Sequence, residues 1–166
     1  MITTVKFALV HPYAIIPSKE DENAGLDIYP CFDEDFMVVN PFETKMIPTG
    51  IASACDIGYC LILKERSSTG TKGIAQRSGT IDAGFRGEIK VPITNLNDKP
   101  LVIIKKEALD VSEITFEDFL IYPYEKAICQ ALVVPVPELE VEEYTYEELK
   151  AIPSNRGTGM LGSSGK

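Results

Sequence analysis

Short apolar runs recur along the first two thirds of the chain, with Gly, Pro, Asn and Asp between them: VKFALV, AGLDIYP, FMVV, TKMIPTGIASA, YCLILKE, GEIKVPITNL and LVIIKK. Runs of this kind, closed by turn residues, predict strands. Their repetition without long helical periodicity predicts an all-β, jelly-roll-like architecture with one or two short helices. Two segments read as helical. SEITFEDFL is short and acidic, and TYEELKAI opens on Thr145 with Glu148 three residues later, the signature of a capping box. The stretch from Asn97 to Tyr124 reads as a long mixed excursion with a solvated charge pattern. Beyond VVPVPELEVEEY and the second helix, Pro153, Ser154 and Asn155 break the pattern. This predicts a β-rich domain over residues 1–153 and a flexible arm over 154–166.

Composition narrows the class. A chain of 166 residues that is 45% apolar and 25% charged fits one globular domain with a real core. No apolar run approaches the roughly 20 residues that span a bilayer, and the N-terminal stretch has no small-residue cleavage site. The expected location is the cytoplasm. Cys31, Cys55, Cys60 and Cys129 form no C-x-x-C pair, and His11 is the chain's single histidine. Buried free thiols in a reducing compartment are therefore expected rather than a zinc site. A formal net charge of −9 argues against nucleic-acid or anionic-membrane binding. A phosphorylated ligand must then be small, held by placed cations, backbone N–H groups and a divalent metal.

Residues with chemical potential collect in five places. Asp27 follows a glycine within AGLDIYP, as a turn or edge carboxylate or as a ligand. Arg66, Ser67 and Ser68 end an apolar strand and lead into the Gly70–Gly73 turn, a cluster suited to oligophosphate or to a plain loop; the spacing is not a Walker loop. In residues 76–95, SGTIDAG and FRGEIKV read as the arms of a hairpin, with Asp82 near its base and Phe85 offering an apolar face. Asp82 there is a turn carboxylate or a general base. Gln130 is embedded in the strand KAICQALVVP, facing outward or needing buried partners. The tail SNRGTGMLGSSGK spaces Gly157, Gly159 and Gly162 as G-x-G-x-x-G, a phosphate-cradling pattern without the usual strand before it and helix after it.

Taken in order, AGLDIYP, RSSTGTKGIA, SGTIDAGFRGEIKV, ICQALVVP and RGTGMLGSSG resemble the five motifs of the trimeric dUTPase (deoxyuridine triphosphatase) family, spanning residues 24–165. The resemblance implies a jelly-roll-like (β-clip) subunit, a homotrimer with shared active sites, and hydrolysis of dUTP to dUMP and pyrophosphate with Mg²⁺ as cofactor. Carried over by position, Asp82 is the general base that orients water toward the α-phosphorus, and Asp27 meets the metal through water, oriented by Arg66. Ser67, Ser68 and Gln130 contact phosphate, and Arg156 caps the γ-phosphate from the arm. Gly79, Ile81 and Lys90 hold uracil through main-chain groups, next to Gln76, and Phe85 lies under the deoxyribose. Leu161, Gly162, Ser163 and Ser164 belong to the arm that closes a neighbour's site, which would give the unsupported tail its purpose.

Several positions depart from the family pattern. Phe85 stands where the family usually has Tyr, Gln76 for Asn, Ala127 for Arg, and Met160-Leu161 for Gly-Phe. Loss of the arm's aromatic would remove a stack on uracil worth on the order of 1–3 kcal/mol. The 97–124 excursion is longer than usual and is similar to inserts of phage-type members, some of which bind regulatory proteins; that implies a possible protein partner and, for a phage-encoded chain, the host cytoplasm. Alternatives are a dCTP deaminase of the same fold, a phage-type regulator, and a plain structural jelly roll. For the first, Glu88 lies too early in its strand to match the deaminase glutamate.

Overall fold

The computed structural model describes residues 4–110 and 114–159. It divides into two compact units, Met1–Val136 and Pro137–Lys166. The first contains strands β1 (Val5–Leu9), β2 (Leu26–Ile28), β3 (Phe36–Val39), β4 (Thr44–Pro48), β5 (Ile51–Cys55), β6 (Tyr59–Lys64), β7 (Ile74–Gln76), β8 (Thr80–Ile81), β9 (Lys90–Asn95), β10 (Leu101–Ile104), β11 (Leu120–Pro123) and β12 (Cys129–Pro135). It also holds two one-turn helices, α1 (Ser67–Gly70) and α2 (Lys106–Leu109). The second unit contains α3 (Tyr146–Ala151). No helix among the described residues is long and apolar enough to cross a membrane.

Four small sheets, ordered β1-β5, β11-β10-β3, β2-β12-β6-β8 and β4-β9-β7, enclose the core. All pairings are antiparallel except β10 with β11. The core is aliphatic: Ile28, Ile47, Ile51, Leu61, Leu63, Ile74, Ile89, Ile93, Leu101 and Ile103 are all buried within one cluster. Alternation supplies it. In β6, Leu61 and Leu63 face inward while Lys64 ends the strand in solvent. Four free cysteines, three of them buried, match the expected small hydrophobes.

TKMIPTGIASA forms two strands rather than one. The break falls at Gly50, whose φ of +64° suits glycine and whose carbonyl accepts the N–H groups of Val10 and His11. The predicted hairpin is also rearranged. Its two arms do not pair with each other: β8 joins β6, with Ile81 opposite Leu61, while β9 pairs with β4 and β7. Packing of Ile81 against the main core explains the choice of edge. The hairpin closes lower, where Gln76 faces Ile93 and the Arg77 N–H bonds the Pro92 carbonyl.

The helices also differ from expectation. There are three among the described residues, and α1 takes up Ser67–Gly70, just before the expected turn, which residues 71–73 form. SEITFEDFL forms no helix over its described part; residues 116–118 are a turn and Leu120 enters β11, captured by parallel pairing with β10. The helix nearby is α2, which precedes that segment. Nor is the 97–124 stretch solvated throughout. Leu101, Val102, Ile103 and Ile104 are buried to within 1%, and Val102 and Ile104 share a small second core with Ile121. By contrast α3 is as read, with Thr145 Oγ1 accepting the Glu148 N–H and the Glu148 carboxylate accepting the Thr145 N–H.

Gly50 offers a direct test of the β4–β5 turn. A Cβ there would lie 2.7 Å from the His11 Cβ and 2.8 Å from the Ala14 Cβ, in addition to the positive φ. Gly50→Ala should lose about 1–3 kcal/mol of stability by denaturant unfolding. An unchanged midpoint would mean the turn relaxes freely.

Candidate active site

Asp27, Arg66, Ser67, Ser68 and Gln130 line one open concavity of about 370 Å³, together with Asn23, Ala24 and Gly25. Strand register brings them there. On β12, Gln130 faces Asp27 of β2 on one side and Lys64 of β6 on the other, so the carboxylate, the amide and the end of β6 share one row of the sheet. The Asp27 N–H bonds the Ser18 carbonyl at 2.8 Å, fixing the strand's backbone. Gly25 leaves room for Gln130, since a Cβ at Gly25 would come 2.6 Å from its Oε1. Gln130 Nε2 in turn donates to the Glu65 carbonyl at 3.1 Å.

Arg66 spans the cluster. Its Nη1 donates to the Ala127 carbonyl at 2.9 Å, and its Nε stands 3.6 Å from Asp27 Oδ1. The Tyr122 hydroxyl donates to the same Ala127 carbonyl at 2.6 Å. A main-chain anchor therefore sets the guanidinium in place, and the guanidinium sets a positive charge beside Asp27. Both side chains remain about one-third exposed, open to an incoming ligand. Ser67 and Ser68 begin α1 immediately after Arg66, with their side chains on the exposed rim.

A second group lies elsewhere on the same unit. Gln76, Gly79, Ile81, Asp82, Phe85 and Lys90 belong to the segment from β7 to β9 and do not line the concavity. Asp82 follows β8 directly, is exposed, and accepts the Phe85 N–H through its main-chain carbonyl. Ile81 sits opposite Leu61, three residues along β6 from Lys64, and β8 lies three strands from β2. Strand rise and spacing then place Ile81 roughly 17 Å from Asp27. Within the turn, Arg86 Nη1 donates to the carbonyls of Ala83 and Phe85, and the Phe85 ring lies over Gly87, where a Cβ would come 2.7 Å from Cζ. Lys90 Nζ pairs with Glu88 at 3.6 Å.

Arg156 lies in the second unit. The Ser154 hydroxyl accepts its N–H and that of Gly157, and Arg156 Nε donates to the Gly159 carbonyl at 3.2 Å. Leu161, Gly162, Ser163 and Ser164, with Met160, lie outside the described residues.

Burial shapes the proton chemistry beneath the concavity. It pushes the Cys129 thiol up to about 12; the Asp27 charge adds to this and Arg66 opposes it. Burial likewise raises the Tyr122 phenol, which also feels Arg66 and Asp27. These groups are neutral through the ordinary pH range, so the charges at the site are those of Asp27 and Arg66.

Comparison with known proteins decides the family. The dUTPase family model matches residues 11–109, more than half of the 166. The deoxyuridine 5'-triphosphate nucleotidohydrolase of Nautilia profundicola is 31% identical over 98% of this chain and 99% of its own length. That of Wolbachia pipientis is 32% identical over 87% of this chain and 82% of its own. The chain belongs to the dUTPase family.

Solved dUTPase structures agree. The dUTPase of Staphylococcus bacteriophage 80alpha, determined with dUPNHPP, is 26% identical with a TM-score of 0.72, covering 98% of this chain and 99% of that one. It is described as controlling transfer of virulence genes. A mutant dUTPase from phage phi11 of S. aureus, which coordinates a structural Mg(II) ion, shares the fold at 22% identity and a TM-score of 0.68, over 87% of this chain and 99% of that one. Within the first unit, the residues expected from the resemblance form two groups, not one. Sequence reading missed Glu65, Tyr122 and the Ala127 carbonyl, whose roles come from contacts between residues distant in the chain. Gly25, by contrast, had a signal: a glycine two residues before the motif's carboxylate.

The raised acids predict an alkaline instability. The unfolded chain gives up the Cys129 proton near its ordinary value of 9.0, while the folded chain holds it to about 12. Between these values the folded state binds more protons, so stability falls as pH rises, by up to about 1.4 kcal/mol per pH unit for one group. Denaturant unfolding at pH 8, 9.5 and 10.5 should show the decline, and Cys129→Ala should flatten part of it.

Proposed function

We propose that this dUTPase-family chain hydrolyses dUTP to dUMP and pyrophosphate at sites shared between copies of itself, which assemble as a trimer. The observation that supports this reading is the separation of Asp27 from the segment bearing Asp82, roughly 17 Å within one chain by strand spacing. A general base must stand within hydrogen-bond reach of the water it activates, about 3 Å. Asp82 and the phosphate cluster of the same chain therefore cannot serve one nucleotide, whereas those of two neighbouring copies can.

In this reading the concavity takes the triphosphate. Ser67, Ser68 and Gln130 offer polar contacts to phosphate oxygens, and Arg66 stands beside Asp27 and orients it. The described residues hold no cluster of three or more His, Cys, Asp or Glu able to bind a metal alone. That donor set suits Mg²⁺, which keeps most of its waters and takes few protein carboxylates; Asp27 would hold it through water, the phosphates supplying the rest. When bound it would offset the charge that builds on the leaving pyrophosphate.

The neighbour's segment takes the base and the sugar. Main-chain groups of Gly79, Ile81 and Lys90, beside Gln76, pair with uracil and oppose the exocyclic amine of cytosine. Commitment of the Lys90 ammonium to Glu88 is consistent with a main-chain role for Lys90. Phe85 lies under the deoxyribose. Asp82 accepts a proton from the water that attacks the α-phosphorus in line, and the pyrophosphate departs from the opposite side. Arg156, with residues 161–164, closes the site over the γ-phosphate. The reaction limits uracil entry into DNA and supplies dUMP for dTMP synthesis, in the cytoplasm.

The rival reaction, deamination of dCTP, asks for a free carboxylate at the base. Glu88 is not free: its Oε1 accepts the Gly50 N–H at 2.9 Å and its Oε2 pairs with Lys90. A regulatory protein partner would find its surface on the 97–124 stretch, where Phe116 stands 73% exposed on a turn.

Pyrophosphate release from dUTP, dCTP, dTTP and UTP tests the activity. Wild type should act on dUTP alone and need Mg²⁺, and Asp82→Asn should lose roughly 10²–10⁴-fold in kcat. Release from dCTP with deoxyuridine products would refute the substrate assignment. A second experiment tests the sharing of sites. Asp82→Asn and Arg66→Ala, each inactive alone, should regain activity when mixed under conditions of subunit exchange. No recovery in a demonstrably mixed oligomer would sink the shared site.

A further inference from the structure

Glu65 stands between β6 and α1 and touches both groups of site residues. Its main-chain carbonyl accepts the Gln130 amide at 3.1 Å, and its Oε1 accepts the main-chain N–H of Gln76 at 3.0 Å. The other carboxylate oxygen lies beside Gly70, where a Cβ would come 3.1 Å from Oε2. A single residue thus meets the phosphate cluster through its backbone and the base-recognising segment through its side chain.

The place where the carboxylate acts matters. Gln76 ends β7 opposite Ile93, and after the Arg77–Pro92 bond the chain leaves β9 for Gly79, Ile81, Asp82 and Phe85. Glu65 therefore holds the root of that segment. Just beyond the root, the Gln76 Nε2 and the Ser78 hydroxyl are buried and find no hydrogen-bond partner. These side chains do not anchor the segment, so its polar ties at this end are the Arg77 N–H bond to the Pro92 carbonyl, a longer contact of 3.4 Å from Arg77 Nε to Thr94 Oγ1, and the charged bond from Glu65. Hydrogen bonds to an ionised acceptor are roughly twice as strong as neutral ones.

We infer that Glu65 is a positioning residue, its carboxylate fixing the root of the base-recognising segment against the loop that orients Gln130. The inference rests on the dUTP-hydrolysing reading above. Without the tether, the 77–88 segment samples positions in which Asp82 and the uracil-pairing groups are misplaced, while the phosphate cluster keeps its own geometry.

The test compares Glu65→Ala and Glu65→Gln with wild type. Glu65→Ala should lower kcat/KM for dUTP about tenfold and narrow the preference for dUTP over dCTP by a similar factor, the loss expected of one charge-assisted bond. Inhibition by inorganic pyrophosphate, which reads the phosphate-binding groups and not the base-recognising segment, should stay within about twofold. Glu65→Gln should keep most of the wild-type activity, within about threefold, because its carboxamide oxygen still accepts the Gln76 N–H through a weaker, uncharged bond. Hydrogen exchange at the Gln76 amide should quicken in Glu65→Ala and in Glu65→Asp, whose shorter side chain cannot reach, and remain slow in Glu65→Gln. The inference fails if base preference is unchanged in a folded Glu65→Ala, if pyrophosphate inhibition weakens as much as base preference, or if the Gln76 amide exchanges at the wild-type rate. If wild type does not turn over dUTP, the functional reading fails instead, and the exchange measurement still decides whether Glu65 tethers the segment.

Discussion

Everything at the candidate site depends on the register of β12 between β2 and β6. Alternation on that strand buries Cys129 and Ala131 completely and turns Gln130 toward the concavity. The same register sets Gln130 opposite Asp27 and Lys64. A slip of one residue would exchange the two faces, moving an amide into the core and a thiol into the concavity. Burial of the apolar set forbids that slip, so the hydrophobic effect, acting on buried residues, determines which polar groups line the concavity.

Much of this was legible along the chain because it is local. Turn residues separate the strands, and the capping box at Thr145 and Glu148 forms as its spacing implies. What was not legible depends on pairing between distant segments. Nothing within SGTIDAG says that Ile81 will join β6 instead of the neighbouring arm, and nothing within SEITFEDFL says that its end will be drawn into a parallel ladder with β10. The burial of LVII was hidden by the charged residues around it, since a strand only four residues long carries no periodicity of its own.

The site divides in the same way. Asp27, Arg66, Ser67, Ser68 and Gln130 were recognisable by residue type and order, and the fold does bring them together. Their supports were not recognisable. Glu65 reads as an ordinary solvated charge before an arginine, and the Ala127 carbonyl has no side-chain signature at all, yet Arg66 is anchored on it. Backbone acceptors and exposed carboxylates acquire meaning only from what lies across the fold from them.

Phe85 shows what such support can mean for affinity. Its ring rests over Gly87, with no Cβ beneath it and the preceding turn tied down by Arg86. This packing favours one placement of the ring without any ligand. An aromatic side chain that is already ordered gives up little conformational entropy on contact, a saving of about 0.5–1.5 kcal/mol per side chain that a freely rotating ring would forfeit. The glycine two residues along thus helps to define the surface that Phe85 presents while contributing no side chain to it.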